Sequence, residues 1–119
     1  VLAKKLAACV SDPRLEIING DASNLGKLLK EKNIEKVDYI ISSVPFGSLP
    51  KKTRLTIYDE IKKCLKSDGT YIQFQYILAN LAEIKSRFVI SRIDFEPRNF
   101  PPAFVYTCKL PQIGGRVAK

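Results

Sequence analysis

The 119-residue sequence contains no histidine and only three cysteines, and each shortage closes off a class of chemistry. Without an imidazole there is no Ser-His-Asp or Cys-His nucleophilic relay and no Cys/His zinc site. Cys9, Cys64 and Cys108 are odd in number, far apart and free of any C-x-x-C pairing, which argues against a disulfide scaffold. Each sits among apolar residues, where a reduced cysteine acts as small core filler, so the expected compartment is reducing. Long hydrophobic runs are missing as well. None approaches the roughly 18 residues that a membrane-crossing helix needs, and Lys4 and Lys5 interrupt the first apolar stretch, so no signal peptide is visible. The six glycines are Gly20, Gly26, Gly47, Gly69, Gly114 and Gly115, and no G-x-G-x-G loop can be built from them. No internal repeat and no low-complexity segment is present.

Positive charge is abundant. Lys and Arg total 20 against 12 Asp and Glu, a formal net charge of +8. A basic surface attracts polyanions, either nucleic-acid phosphates or anionic lipid headgroups, and it also keeps a protein soluble. Charge does not choose between lipid and RNA. Hydrophobic residues at 45% and charged residues at 27% are the proportions of an ordinary folded domain. The length suits one domain with one core.

Apolar spacing predicts the elements in order. Val1 to Val10 reads as a helix, with Val1, Leu2, Leu6, Cys9 and Val10 near one face and Ser11-Asp12-Pro13 as its stop. Leu15 to Asn19 reads as a short strand. Leu25, Leu28 and Leu29 mark a short helix, with Ser23 or Asn24 as its N-cap. Val37 to Ser42 is the next strand. Leu55, Tyr58, Ile61 and Leu65 outline an amphipathic helix that closes at Ser67-Asp68-Gly69. Thr70 to Tyr76 is a strand and Ile77 to Ile84 a short helix. Arg87 to Phe95 and Phe104 to Leu110 are two final strands, too close together for a crossover helix and therefore antiparallel neighbours. The tail from Pro111 is expected to be loose. Alternating helices and strands imply an α/β protein with a parallel sheet covered by helices.

Two strand ends stand out. The run Val37 to Ile41 is mostly apolar and stops at Ser42-Ser43-Val44-Pro45-Phe46-Gly47. A buried parallel strand delivers such a polar loop to the carboxyl edge of a sheet, where open α/β sheets bind ligands. The run Leu15 to Asn19 ends beside an acid, Asp21. An acid at one strand end and a Ser-x-Pro-Phe turn at another suggest a nucleoside-containing cofactor.

This order of elements, with its closing hairpin, resembles the later part of a class I S-adenosylmethionine-dependent methyltransferase over roughly Val1 to Leu110. The fold so implied is a Rossmann-like sheet, mostly parallel, with a C-terminal antiparallel β-hairpin. A finer resemblance is to bacterial phospholipid N-methyltransferases, which methylate phosphatidylethanolamine. It lies in the loop Val44-Pro45-Phe46-Gly47-Ser48-Leu49-Pro50, in Gln73-Phe74 with Tyr76, and in Arg98-Asn99-Phe100-Pro101-Pro102-Ala103. The family's first strands, its G-x-G-x-G loop and the acid-ended second strand have no counterpart here. The resemblance therefore implies a partial domain over residues 1–110 with a flexible tail over 111–119. It also implies that this stretch alone binds S-adenosylmethionine weakly or not at all.

Roles follow from the resemblance. Asp21, Ala22 and Ser43 would bind the cofactor, with Asp21 facing the adenine. The alternative for Asp21 is a solvated turn acid or a helix cap. Ser43, Val44, Pro45 and Phe46 would form the methyl-transfer loop, their carbonyls accepting from an amine and the Phe46 ring facing a base or a cationic nitrogen. A plain strand-to-helix loop with an apolar plug is the alternative. Tyr76 would act catalytically and, with Arg98 and Asn99, contact the substrate, Arg98 by clamping a phosphate. The alternatives are that Tyr76 packs on the next helix, Arg98 holds its loop and Asn99 stabilises a turn. Lys51-Lys52 with Arg54, and Lys62-Lys63, would rest on anionic headgroups or RNA. No metal is expected. The implied partner is a lipid headgroup or anionic membrane surface, with an RNA adenine amine or an inactive binding remnant as rivals. The implied place is cytoplasmic or peripheral at the membrane.

Overall fold

A computed structural model describes residues 8–9, 12–75, 80–98, 102–113 and 116–117. Its central strand is the one with the most regular alternation. From Thr70 onward Tyr71, Gln73 and Gln75 are buried while Thr70, Ile72 and Phe74 are half-buried, the period-two signature of a strand with unlike faces. This strand, β2 (Leu65–Gln75), pairs in parallel with β1 (Val37–Ser42). On its other side β2 pairs antiparallel with β4 (Ala103–Lys109), which pairs antiparallel with β3 (Val89–Glu96). The sheet order is β1-β2-β4-β3.

The β3–β4 hairpin has the antiparallel pairing its sequence predicts. The sheet as a whole is mixed, with one parallel and two antiparallel ladders among the described residues, so the expectation of a mostly parallel sheet needs correction. The reason lies in Leu15 to Asn19, which forms no regular element and joins no ladder. Its apolar residues Leu15 and Ile18 are 45% and 43% exposed. A strand needs a neighbour's N–H and C=O groups, and among the described residues nothing pairs with the outer edge of β1.

Two helices follow the apolar spacing. A third lies later than the expected Ile77 to Ile84, extending through Arg87, which the apolar spacing places in the next strand, while residues 77–79 lie outside the described residues. Ala8 and Cys9 are also helical, the rest of residues 1–11 lying outside the described residues. Helix α1 is Leu25–Glu31, α2 is Lys51–Cys64 and α3 is Leu81–Arg87. Helix α2 buries Ile57, Tyr58, Ile61 and Cys64, a stripe at helical spacing. It passes directly into β2 at Leu65 instead of ending at Ser67-Asp68-Gly69. Those expected turn residues instead form an irregularity, because the register jumps from Val37↔Leu65 to Tyr39↔Thr70. Gly69 is needed there: a Cβ would stand 2.7 Å from Leu65 Cδ1 and 3.0 Å from the Asp38 carbonyl oxygen.

The cap of the first helical segment also differs from expectation. Asn24 stands before α1 but makes no side-chain capping bond. Asp21 instead caps a 3₁₀ turn over Ala22–Asn24. Glu60 of α2 reaches across to accept from the Gly26 N–H at 2.9 Å, satisfying one of the donors a helix start leaves open.

The core lies on the Tyr71 face of the sheet. Phe46, Tyr58, Ile61, Leu65, Ile84, Phe88, Tyr106 and Cys108 pack there with Tyr71, and the rings of Tyr71 and Phe88 are 5.0 Å apart. The opposite face carries Tyr39 and Ile41, 69% and 77% exposed, beside half-buried Ile72, Phe74 and Val105. In the tail expected to be loose, Gln112–Ile113 pairs antiparallel with Arg116–Val117. No helix of the described residues is long and apolar enough to cross a membrane.

Candidate functional site

The loop after β1 is fixed from several sides. Ser42 Oγ accepts from the Val44 N–H at 3.2 Å. The Val44 carbonyl accepts from the Phe46 N–H at 2.9 Å and from Gln73 Nε2 at 3.0 Å. The carbonyls of Pro45 and Phe46 accept from Ser48 and Leu49 in a 3₁₀ turn over Phe46–Ser48. Farther along, the Leu49 carbonyl accepts from Arg54 Nη1 at 2.8 Å. Ser43 is exposed at the head of this loop.

A cavity of about 500 Å³ opens against this loop. Its walls include Ala22 and Leu25 on one side, Ser43, Val44 and Pro45 on the other, and Ile57 and Ile61 of α2 beneath. The turn that begins at Asp21 and the loop that begins at Ser43 thus share one cavity at the carboxyl end of β1. Asp21 is exposed next to Ala22. Its Oδ1 accepts from the Ser23 N–H at 2.9 Å and the Ser23 hydroxyl at 2.8 Å. Those two bonds hold its carboxyl below the ordinary carboxylate value, so it stays charged. Asp21 is therefore a cap, and its Oδ2 has no hydrogen bond among the described residues.

Phe46 does not belong to the cavity. Its side chain has 0% exposure, and its ring centroid lies 4.9 Å from that of Tyr58. A ring with no accessible surface cannot stack on a base or face a cation, so the expected catalytic role of Phe46 gives way to that of an apolar plug. The plug seats the loop on α2.

Arg98 lies in the turn after β3, exposed, its N–H donating to Glu96 Oε1 at 2.9 Å. The register Gln75↔Phe104 and Glu96↔Ala103 puts this turn on the same sheet edge as the ends of β1 and β2. Three strand spacings separate β1 from β3, roughly 14 Å, and Arg98 is not part of the cavity wall. Tyr76 and Asn99 lie outside the described residues.

Sequence reasoning missed a clamp behind the loop. Arg54 was expected to face anionic headgroups with Lys51 and Lys52. It instead donates from Nε and Nη2 to Glu83 Oε1 and Oε2 at 2.9 and 2.7 Å, a bidentate pair. The Tyr58 hydroxyl donates to Glu83 Oε1 at 3.2 Å, and the Arg87 guanidinium lies 5.8 Å from the Tyr58 ring centroid. Arg54 beside Glu83 holds that carboxyl below its ordinary value, while burial pushes the Tyr58 hydroxyl well up and keeps it protonated. The clamp ties the β1 loop to α3. Its members are 29 residues apart in the chain, and no local pattern announces the pair.

Gln73 was also missed. It is fully buried, accepts from the Tyr71 hydroxyl at 2.5 Å and donates to the carbonyls of Val44 and Phe74. Among the described residues no group of His, Cys, Asp and Glu is arranged to hold a metal.

Residues 2–116 match the spermine/spermidine synthase domain family. The chain belongs to that family. It is 30% identical over 99 residues to an ornithine lipid N-methyltransferase of Singulisphaera acidiphila, covering 79% of this chain and 50% of that protein. A protein of Pyrococcus horikoshii OT3 with a known crystal structure superposes with a TM-score of 0.46 at 17% identity, covering 94% of this chain and 54% of that one. The chain spans about half the length of each of these relatives.

Proposed function

We propose that the protein is an S-adenosylmethionine-dependent N-methyltransferase acting on a lipid amine of the phosphatidylethanolamine or ornithine-lipid kind. The observation that carries this reading is the shared cavity. The Asp21–Ala22 turn and the Ser43–Pro45 loop, given cofactor and transfer roles by the same resemblance, line or adjoin one space at a sheet's carboxyl edge. Family membership and the ornithine-lipid relative support amine chemistry there.

The residues present fit the cofactor. The cavity of about 500 Å³ falls in the range of small-molecule sites. Ala22, Leu25, Ile57 and Ile61 make apolar walls suited to a flat base, and Asp21 beside them offers a charged acceptor to an exocyclic amino group. Asp21 and Ala22 would hold the adenine end and Ser43 the reactive end. When bound, S-adenosylmethionine supplies a methyl group on a positively charged sulfur, already activated for displacement.

The protein's task is then to orient an amine and keep water away. The carbonyls of Val44, Pro45 and Phe46 already accept bonds within the fold, which directs the role of acceptor for the amine N–H to the Ser43 carbonyl. The amine must give up a proton. Tyr58 and Tyr71 are held protonated by burial, and Glu83 is engaged by Arg54 and Tyr58. Another carboxylate, Tyr76 or solvent takes it. Arg98 would meet the headgroup at the far side of the same sheet edge, with Asn99 kept as a substrate contact from the resemblance alone, and the +8 charge suits an anionic membrane surface as well as it suits RNA.

The family match also favours a second reading, in which the amine belongs to a soluble polyamine. One experiment separates the two. The full-length gene product is incubated with methyl-labelled S-adenosylmethionine, or with the decarboxylated cofactor labelled in its aminopropyl group, and, in separate tubes, vesicles containing phosphatidylethanolamine, vesicles containing ornithine lipid, putrescine, or ribosomal RNA. Label in a lipid amine is the expected result. Label in neither lipid overturns the reading.

A further inference from the structure

The candidate cavity opens at the carboxyl edge of the sheet, and exposed cations gather on that edge. Lys51 and Lys52 open α2 directly after the β1 loop, and both are exposed. Helix α2 has no acid in its first turn and no side-chain cap on its leading N–H groups. Cations there meet the positive end of the helix dipole and cost stability. Lys32, Lys63 and Lys66 each have an acidic partner, whereas Lys51 and Lys52 form no ion pair among the described residues. A local rule broken without compensation inside the fold is a mark of a functional surface.

The rest of the edge is of the same kind. Arg98 is exposed in the turn after β3, and its guanidinium also has no ion pair among the described residues. Phe95, one residue before the end of β3, is 53% exposed, and its ring centroid lies 5.0 Å from that of Phe104. Pro45 of the β1 loop is exposed as well. Arg54, and in smaller part Lys51, hold down the carboxyl of Glu83, so the start of α2 stands beside the first turn of α3. The acids of this edge are engaged. Asp21 caps its own turn, Glu83 holds Arg54, and Glu96 accepts from the Arg98 N–H.

We propose that Lys51, Lys52, Arg98 and the Phe95 ring make the carboxyl edge a docking surface for an anionic lipid bilayer, with the mouth of the cavity turned toward the headgroups. This rests on the reading of the protein as a lipid-amine methyltransferase and says which face meets the substrate's leaflet. Cations without an internal partner attract anionic headgroups, and an exposed aromatic ring suits the level where headgroups give way to acyl chains. A lipid amine then reaches the loop at Ser43 while its chains stay in the leaflet.

The test is sedimentation of the full-length gene product with vesicles of phosphatidylcholine, alone or mixed with phosphatidylglycerol, at low and high salt. One variant combines Lys51→Gln with Lys52→Gln, and another is Arg98→Gln. The control removes the same charge at the opposite edge, combining Lys30→Gln in the last turn of α1 with Lys36→Gln just before β1. Each cation at an anionic surface strengthens attachment about fivefold. Wild type should bind the mixed vesicles alone, and less at high salt. The Lys51 and Lys52 pair should weaken binding about 25-fold and Arg98→Gln about fivefold, with the control pair under about twofold. Melting temperatures of the edge variants should equal or exceed that of wild type, since a clash with the helix dipole is relieved. Phe95→Trp should be quenched by lipids brominated in their acyl chains, beyond any quenching of the unsubstituted protein. Equal losses from both lysine pairs overturn the proposal, because attraction is then diffuse. So does lowered melting of the edge lysine variant, an unquenched Phe95→Trp, or wild-type protein that binds no mixed vesicle, whether or not it binds ribosomal RNA through the edge lysines. Edge-dependent vesicle binding with no methyl transferred to a lipid amine overturns the methyltransferase reading and leaves the docking surface standing. Methyl transfer to a short-chain lipid amine without vesicle binding does the reverse.

Discussion

Replacing Gln73 by methionine isolates the most connected polar group of the fold. Gln73 is fully buried and holds three partners: the Tyr71 hydroxyl at 2.5 Å and the carbonyls of Val44 and Phe74 at 3.0 and 3.2 Å. Methionine keeps the volume and removes every bond. The Tyr71 hydroxyl, itself at 0% exposure, is then stranded, at a cost of about 1–3 kcal/mol. Loss of the bond to Val44 adds about 0.5–1.5 kcal/mol, softened because that carbonyl keeps the Phe46 N–H. The expected destabilisation of Gln73→Met is therefore about 2–4 kcal/mol by urea unfolding. Adding Tyr71→Phe removes the stranded hydroxyl, so the double variant should recover about 1–2 kcal/mol of that loss. A single variant within about 0.5 kcal/mol of wild type, or single losses that simply add in the double variant, would refute the reasoning.

Two further outcomes follow from the loop and its clamp. Phe46→Ala empties a fully buried site against Tyr58 and should cost about 3–5 kcal/mol in urea unfolding; a loss under about 1 kcal/mol would mean that the ring is not the plug described. Glu83 has its carboxyl lowered first by its hydrogen bonds from Arg54, so its contribution is present above the ordinary glutamate value of 4.5 and fades as pH falls through the lower folded value. The melting-temperature gap between wild type and Glu83→Gln should therefore be widest near neutrality and close on acidification, and a gap that stays constant contradicts this.

Some of the molecule was legible before any coordinates. Val37–Ser42 has its expected bounds because a nearly continuous apolar run stops abruptly at serines and a proline. The β3–β4 hairpin was legible because two alternating runs flank Pro97, Pro101 and Pro102. Leu15 to Asn19 misled because composition reports a residue's fitness for a strand and says nothing of whether a neighbour exists. Phe46 misled because an aromatic ring has the same sequence letter whether it plugs a core or greets a ligand. Arg54 looked like a surface cation because its partner Glu83 is 29 residues away. Gln73 and Gln75 are one residue type at one spacing on one strand, yet Gln73 has both ends of its amide engaged while Gln75 Nε2 has no partner among the described residues. That distinction arises only when β4 and the β1 loop come to lie against them.

The outer edge of β1 has a practical meaning at the bench. Among the described residues no strand pairs with it, and such an edge, running beside solvent-facing Tyr39 and Ile41, is a template for edge-to-edge adhesion. Produced as this stretch alone, the polypeptide should self-associate as its concentration rises. A lysine placed at Ile41 should keep it monodisperse without touching the buried side of the sheet.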